Sequence, residues 1–180
     1  MIEKKTITLP TDILYTQLGM PQKYKEALIE ESYKLKNRKG RENRKKFKEI
    51  FNEDENSIVI GSGFKIWEES QKYDILLDNI LKFVYSISPS NYVYNFEDAW
   101  LGIYDKGQSS NKHSHEPFYK SFCYYISAKE PYTPMVFDGV EINAITDRLI
   151  VFPSYLNHLV PPSNGGERIM IAGNILVLTQ

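Results

Sequence analysis

Three histidines are all that this 180-residue chain contains, and two of them stand one residue apart in Lys112-His113-Ser114-His115-Glu116. The third, His158, follows the apolar run Leu149-Ile150-Val151-Phe152, and Arg168 opens another such run, Ile169-Met170-Ile171-Ala172. Residues i and i+2 of a strand share a face, so His113 and His115 can reach one ion from one strand end. His158 is the only other imidazole available as a third ligand. Imidazole suits iron, zinc, copper and nickel, so ligand type leaves the metal open. A strand carrying His-x-His, a later strand ending in His, and an arginine on the strand after that make the layout of a mononuclear metal site. At the start of its strand, Arg168 should lie close to the end of the preceding one. A guanidinium inside a barrel needs an anion, and its fork matches a carboxylate in bidentate fashion. The plainer alternatives are packing or surface histidines, and an ordinary ion pair of Arg168 near Glu167 or Asp147.

Something must position these residues. After position 91, short runs of β-branched and aromatic residues alternate with turn residues. They predict strands near Tyr92–Asn95, Trp100–Tyr104, Ser121–Ser127, Met135–Phe137, Arg148–Phe152 and Ile169–Leu178. Asp138-Gly139 fits a hairpin turn, and Pro161 to Gly166 a loop. The first 90 residues read as mainly helical. Tyr24 to about Glu49 is rich in helix formers, with Asn37 and Gly40 expected to interrupt it. In Ser70–Ile87, Tyr73, Leu76, Leu77, Ile80, Leu81 and Val84 fall at helical spacing and define one apolar face, and Ser88-Pro89-Ser90 ends the helix. The expected architecture is α+β: a jelly roll over 91–180, with N-terminal helices packed outside, in one domain spanning 1–180.

Composition sets outer limits. A hydrophobic content of 42% and a charged content of 25% describe a globular chain. No apolar stretch approaches bilayer-spanning length, and the N-terminal residues lack the apolar core of a signal peptide. A lone cysteine, Cys123, excludes an intrachain disulfide, so the expected compartment is the cytoplasm. Cys123 sits in an apolar run and reads as packing rather than as a nucleophile. Between Lys34 and Lys48 nine basic residues face one acidic residue, Glu42. A solvated helix face explains that run, and weak, salt-sensitive polyanion binding is the sharper alternative.

Trp100-Leu101-Gly102-Ile103-Tyr104-Asp105-Lys106-Gly107, leading into His113-Ser114-His115, resembles the 2-oxoglutarate and iron(II)-dependent oxygenases. So does Asp147-Arg148-Leu149-Ile150-Val151-Phe152-Pro153-Ser154, running into His158 and Glu167-Arg168-Ile169. The likeness is closest to the small bacterial and phage oxygenases with a His-x-His motif, and more distant to the prolyl hydroxylases. It covers about Trp100 to Val177. The resemblance implies a double-stranded β-helix whose open end holds Fe(II), with 2-oxoglutarate as cosubstrate. His113 resembles the first histidine ligand and His158 the distal one. His115 stands where the family usually has Asp or Glu, and Glu116 is the alternative ligand. Arg168 resembles the residue that grips the far carboxylate of 2-oxoglutarate. Tyr124-Tyr125 matches a tyrosine pair that supplies a hydroxyl to that carboxylate. Parity favours Tyr125, which shares a face with Ser121 and Cys123. Tyr104 can border the pocket, and Asn174, six residues after Arg168, lies on the same strand face.

The resemblance thus implies an iron(II)- and 2-oxoglutarate-dependent dioxygenase hydroxylating a small-molecule or peptidyl substrate. Two other readings share the fold. One is a three-histidine cupin-type metalloenzyme that does not use 2-oxoglutarate, in which Arg168 would pair with a protein carboxylate. The other is a non-catalytic jelly-roll binding module.

Overall fold

A computed structural model describes residues 11–51, 59–60, 64–163 and 165–178, with side chains from 38 to 51 and at 59–60 left aside. Two β-sheets face each other. The larger has the order β1-β8-β5-β10-β3-β2 and the smaller β4-β9-β6-β7. Their strands are β1 (Leu14–Gln17), β2 (Val59–Ile60), β3 (Val93–Tyr104), β4 (Ser110–His113), β5 (Lys120–Ala128), β6 (Pro134–Phe137), β7 (Val140–Asn143), β8 (Arg148–Pro153), β9 (His158–Val160) and β10 (Arg168–Leu178). All named strand pairs are antiparallel. This is the expected α+β jelly roll, a double-stranded β-helix.

Strand parity divides the core in two. On the outer face of the large sheet, Leu101, Ile103, Phe122, Tyr124, Leu149, Val151 and Ile171 pack against the helices. These are α1 (Gln22–Phe51), α2 (Ile66–Glu69) and α3 (Asp74–Ser86), the last entered through a 3-10 turn at Gln71–Tyr73. Leu76, Leu77, Ile80 and Val84 of α3 are buried there, as their helical spacing requires. Leu28, Ser32 and Leu35 form the buried stripe of α1, and the Ser32 hydroxyl bonds to Leu28 O at 2.7 Å and Tyr73 Oη at 3.0 Å. On the inner face, Trp100, Tyr104, Cys123, Tyr125, Ile150, Phe152 and Met170 face the small sheet.

Several local expectations change. Helix α1 runs through Asn37 and Gly40 without a break. A mid-helix glycine costs only about 1 kcal/mol relative to alanine, and the flanking Lys, Glu and Arg residues favour helix. The basic run 34–48 lies on this helix; Lys36 pairs with Asp105 at 3.1 Å, and the side chains from 38 onward fall outside the described residues. The two expected strands at 92–95 and 100–104 are one, β3, because β10 pairs with it from Val93 to Tyr104 across a bulge at Asn174/Ile175. His158 does not end the strand Arg148–Pro153; it opens β9 in the opposite sheet. The neighbours of β10 are β3 and β5, so Arg168 lies opposite Tyr104 and Ala128 rather than beside the preceding strand. The N-terminal half also contributes strands, β1 and β2, to the large sheet.

Asp147 fastens the N-terminal segment to this framework. Its carboxylate accepts from Gly19 N at 2.7 Å, Met20 N at 3.1 Å and Tyr124 Oη at 2.7 Å.

Candidate metal centre

His113 closes β4 and His158 opens β9, and the two are register partners. His115 lies two residues beyond β4, and its N–H is held by Ser154 O at 2.7 Å. One ligand atom from each imidazole lies within 4.8 Å of the other two. The ring centroids are 4.4 Å apart for His113–His158, and 5.0 Å for both His113–His115 and His115–His158. Glu116 is exposed and stands outside this group.

The hydrogen bonds orient two of the rings. His113 Nδ1 meets Asn111 O at 2.7 Å and His158 Nδ1 meets Leu156 O at 3.1 Å. A carbonyl only accepts, so each Nδ1 carries the proton and each Nε2 is left with a free lone pair, the tautomer a metal needs. Trp100 stacks on His115 at 5.8 Å and 9°, and Phe152 meets His158 edge-on at 4.8 Å. Burial holds all three imidazoles below their ordinary pKa, His158 at about 4 and His115 at about 3; neighbouring imidazoles push these two further down. They are therefore neutral at physiological pH and competent to ligate.

The three rings open on a cavity of about 290 Å³ between the sheets. Tyr104, Cys123, Met170 and Asn174 also line it. Cys123 is fully buried and its thiol is pushed up to about 12, so it stays protonated. Arg168 and Tyr125, 2% and 1% exposed, are not lining residues themselves but are buried against two that are, Tyr104 and Cys123. Arg168 Nη1 donates to Thr133 O at 2.5 Å, and the Tyr104 ring covers the guanidinium at 4.2 Å. Among the described residues, Arg168 Nε and Nη2 and Thr133 Oγ1 have no hydrogen-bond partner, and the Tyr125 hydroxyl has only the weakly bonding Cys123 thiol beside it. Leaving a buried donor unpaired costs about 1–3 kcal/mol, and more when it is charged. Asp147 and Glu167, the two nearby carboxylates in sequence, are engaged elsewhere: Asp147 as above, Glu167 with Tyr33 and Lys129. Parity separates Tyr125 from Tyr124, whose hydroxyl points to the helix side and Asp147.

Asn174 receives the Ser121 hydroxyl on Oδ1 at 2.7 Å and gives its Nδ2 to Asp98 at 3.1 Å. Asp98, a further carboxylate lining the cavity, was not singled out by the sequence reading. Its signal was parity: 98, 100, 102 and 104 share a face of β3, and Trp100 and Tyr104 point inward.

No family model matches the chain, and no curated protein does. Solved structures do. The collagen prolyl hydroxylase of Paramecium bursaria Chlorella virus-1, in complex with 2OG, aligns with a TM-score of 0.66 at 15% identity, over 91% of this chain and 94% of its own. A prolyl-4-hydroxylase from Pseudomonas putida aligns with a TM-score of 0.62 at 16% identity, over 90% of this chain and 91% of its own. HygX from Streptomyces hygroscopicus, solved with nickel and 2-oxoglutarate bound, reaches 0.67 at 9% identity, over 92% and 82%. At such identities the shared property is the fold.

Proposed function

We propose that this protein is a non-haem iron(II)- and 2-oxoglutarate-dependent dioxygenase that hydroxylates a small-molecule or peptidyl substrate. The observation that carries this reading is the pairing of three convergent imidazoles with a buried guanidinium, two of whose nitrogens lack partners among the described residues, in one double-stranded β-helix. The residues fit both groups. His113 and His158 would hold iron through Nε2, with His115 as the third ligand. Nε and Nη2 of Arg168, without partners among the described residues, and the Tyr125 hydroxyl would hold the distal carboxylate of 2-oxoglutarate. Tyr104 and Asn174 would border the same chamber. The similar fold of proteins solved with 2OG or 2-oxoglutarate supports the assignment.

When bound, iron and 2-oxoglutarate would let dioxygen act as the oxidant, one of its oxygen atoms hydroxylating an unreactive C–H bond and the other entering succinate as 2-oxoglutarate loses carbon dioxide. The protein's part is orientation and exclusion of water. The carbonyl-bound Nδ1 protons fix two ligand rings, Trp100 fixes the third, and aromatic side chains cover the ligands. Three neutral ligands leave the full dipositive charge at the metal, where the commoner two-histidine, one-carboxylate set leaves one unit less. The carboxylate of the cosubstrate nearer the metal would offset part of that charge, the distal one being matched by Arg168.

The rival three-histidine reading without 2-oxoglutarate expects Arg168 to pair with a protein carboxylate. Among the described residues no ion pair to Arg168 is found. Incubation with iron(II), ascorbate, air and 2-oxoglutarate should release succinate above the level given by a His158→Ala control. Equal succinate from both proteins would remove the assignment.

A further inference from the structure

We propose that the cavity receives a substrate group bearing a positively charged nitrogen, ammonium or guanidinium, seated on Asp98 among Phe64, Trp100 and Phe118. The inference rests on the oxygenase reading only for treating this cavity as the substrate chamber. Asp98 lies on the inward face of β3 and lines the cavity. Its Oδ1 accepts from Asn174 N at 2.9 Å and its Oδ2 from Asn174 Nδ2 at 3.1 Å. Each oxygen of an ionised carboxylate keeps a further lone pair after one such bond. Taking up the N–H freed at the β10 bulge employs Oδ1 alone, and a neutral side chain would serve that purpose equally.

Among the described residues, nothing accounts for the charge of Asp98. Burial raises its pKa, Glu97 adds to the rise, and the Asn174 hydrogen bonds oppose it; no cation among the described residues contributes. Lys112, the one lysine or arginine among the described residues lining the cavity, is held by Asp138 at 2.7 Å. Lys65, whose backbone bridges to Ala99, points to Glu68 at 3.8 Å. A partly buried carboxylate without a counter-charge is costly, and a ligand cation removes that cost. The walls suit the same ligand. Phe64 and Trp100 meet edge to face, with centroids 6.1 Å apart, and Phe118 also lines the chamber. Aromatic faces attract cations, most strongly where water is excluded.

The test is calorimetric titration of protein loaded with manganese(II) and 2-oxoglutarate, without oxygen. The probes are n-butylammonium, n-butylguanidinium, 1-butanol, butyrate, and lysine blocked at both its α-amino and carboxyl groups. At least one cation should bind about tenfold or more tightly than 1-butanol, a difference of about 1.4 kcal/mol, and butyrate should bind least. Tighter binding of blocked lysine than of n-butylammonium assigns a peptidyl source, and the reverse a free amine. Asp98→Asn should abolish the cation preference, with Tm showing that the variant is folded. Equal or weaker binding of every cation than of 1-butanol by the wild type overturns the proposal without recourse to any variant. So does an undiminished preference in folded Asp98→Asn. Failure to take up manganese counts against the oxygenase reading instead, and the same titration of metal-free protein then reads Asp98 by itself.

Discussion

His113 and His158 are opposed residues of the paired strands β4 and β9, and their rings stand 4.4 Å apart. Backbone pairing in the small sheet therefore sets the spacing of these two imidazoles independently of any metal. His115 is placed differently, by a backbone bond to Ser154 and by the Trp100 ring. Removing either opposed histidine should abolish stoichiometric iron binding. His113→Ala and His158→Ala are expected to lose 100-fold or more in metal affinity while staying folded, since an altered supporting partner alone costs about 10–100-fold. Anaerobic metal titration with elemental analysis checks this; near-native affinity in either variant removes that residue from the ligand set.

His115 stands where a carboxylate is common, so His115→Asp should create the two-histidine, one-carboxylate set. The added negative charge predicts tighter iron(II) binding than in the wild type, on the order of tenfold. If affinity drops as far as in His115→Ala, the loop does not present residue 115 to the metal.

Arg168→Lys keeps the charge but loses the fork. The variant should retain metal affinity within about twofold and lose at least about tenfold in 2-oxoglutarate affinity. Differential scanning fluorimetry shows this as a 2-oxoglutarate-induced rise in Tm that disappears in the variant. A rise of unchanged size argues that the diacid is gripped elsewhere.

Protonation should destabilise the metal-free protein. The folded pKa values of His115 and His158, about 3 and about 4, lie below the ordinary imidazole value of 6.5. Below pH 6.5 the unfolded chain therefore binds more protons than the folded one, so stability is present above that pH and falls toward pH 4. Tm measured from pH 7.5 to pH 5 should decline, and His158→Asn should flatten the slope. A wild-type Tm that stays constant or rises on acidification is the contrary result.

Asp147 adopts a φ of 71° and satisfies two backbone N–H groups and the Tyr124 hydroxyl. Asp147→Ala should cost about 2–4 kcal/mol, from three lost partners and a positive φ that disfavours alanine. Asp147→Asn, whose side chain tolerates that backbone, should cost less. Urea denaturation with equal losses for both variants would leave the backbone contribution unsupported.

The sequence carried much of this architecture because strand parity and helix periodicity are local signals. The outward Tyr124 and inward Tyr125, and the buried face of α3, follow from counting residues. The strands that hold His113 and His158 did not show themselves fully. Ser110-Asn111-Lys112-His113 has no apolar alternation, and β9 has only three residues, so partner strands rather than propensity define them. The same holds for β1, a four-residue edge strand paired with β8. The centre of β3, Phe96-Glu97-Asp98-Ala99, was missed because acidic residues are poor strand formers; pairing with β10 overrides that preference and brings Asp98 to the cavity. His-x-His and the later histidine and arginine were visible, whereas the unpaired nitrogens of Arg168 required the folded chain.

The most direct measurement is sequential calorimetry without oxygen: iron(II) into metal-free protein, then 2-oxoglutarate into the iron-loaded form. One iron per chain and one 2-oxoglutarate per iron are expected, with the second event lost when iron is omitted and weakened at least about tenfold in Arg168→Lys. Stoichiometric iron without any binding of 2-oxoglutarate would contradict the oxygenase reading.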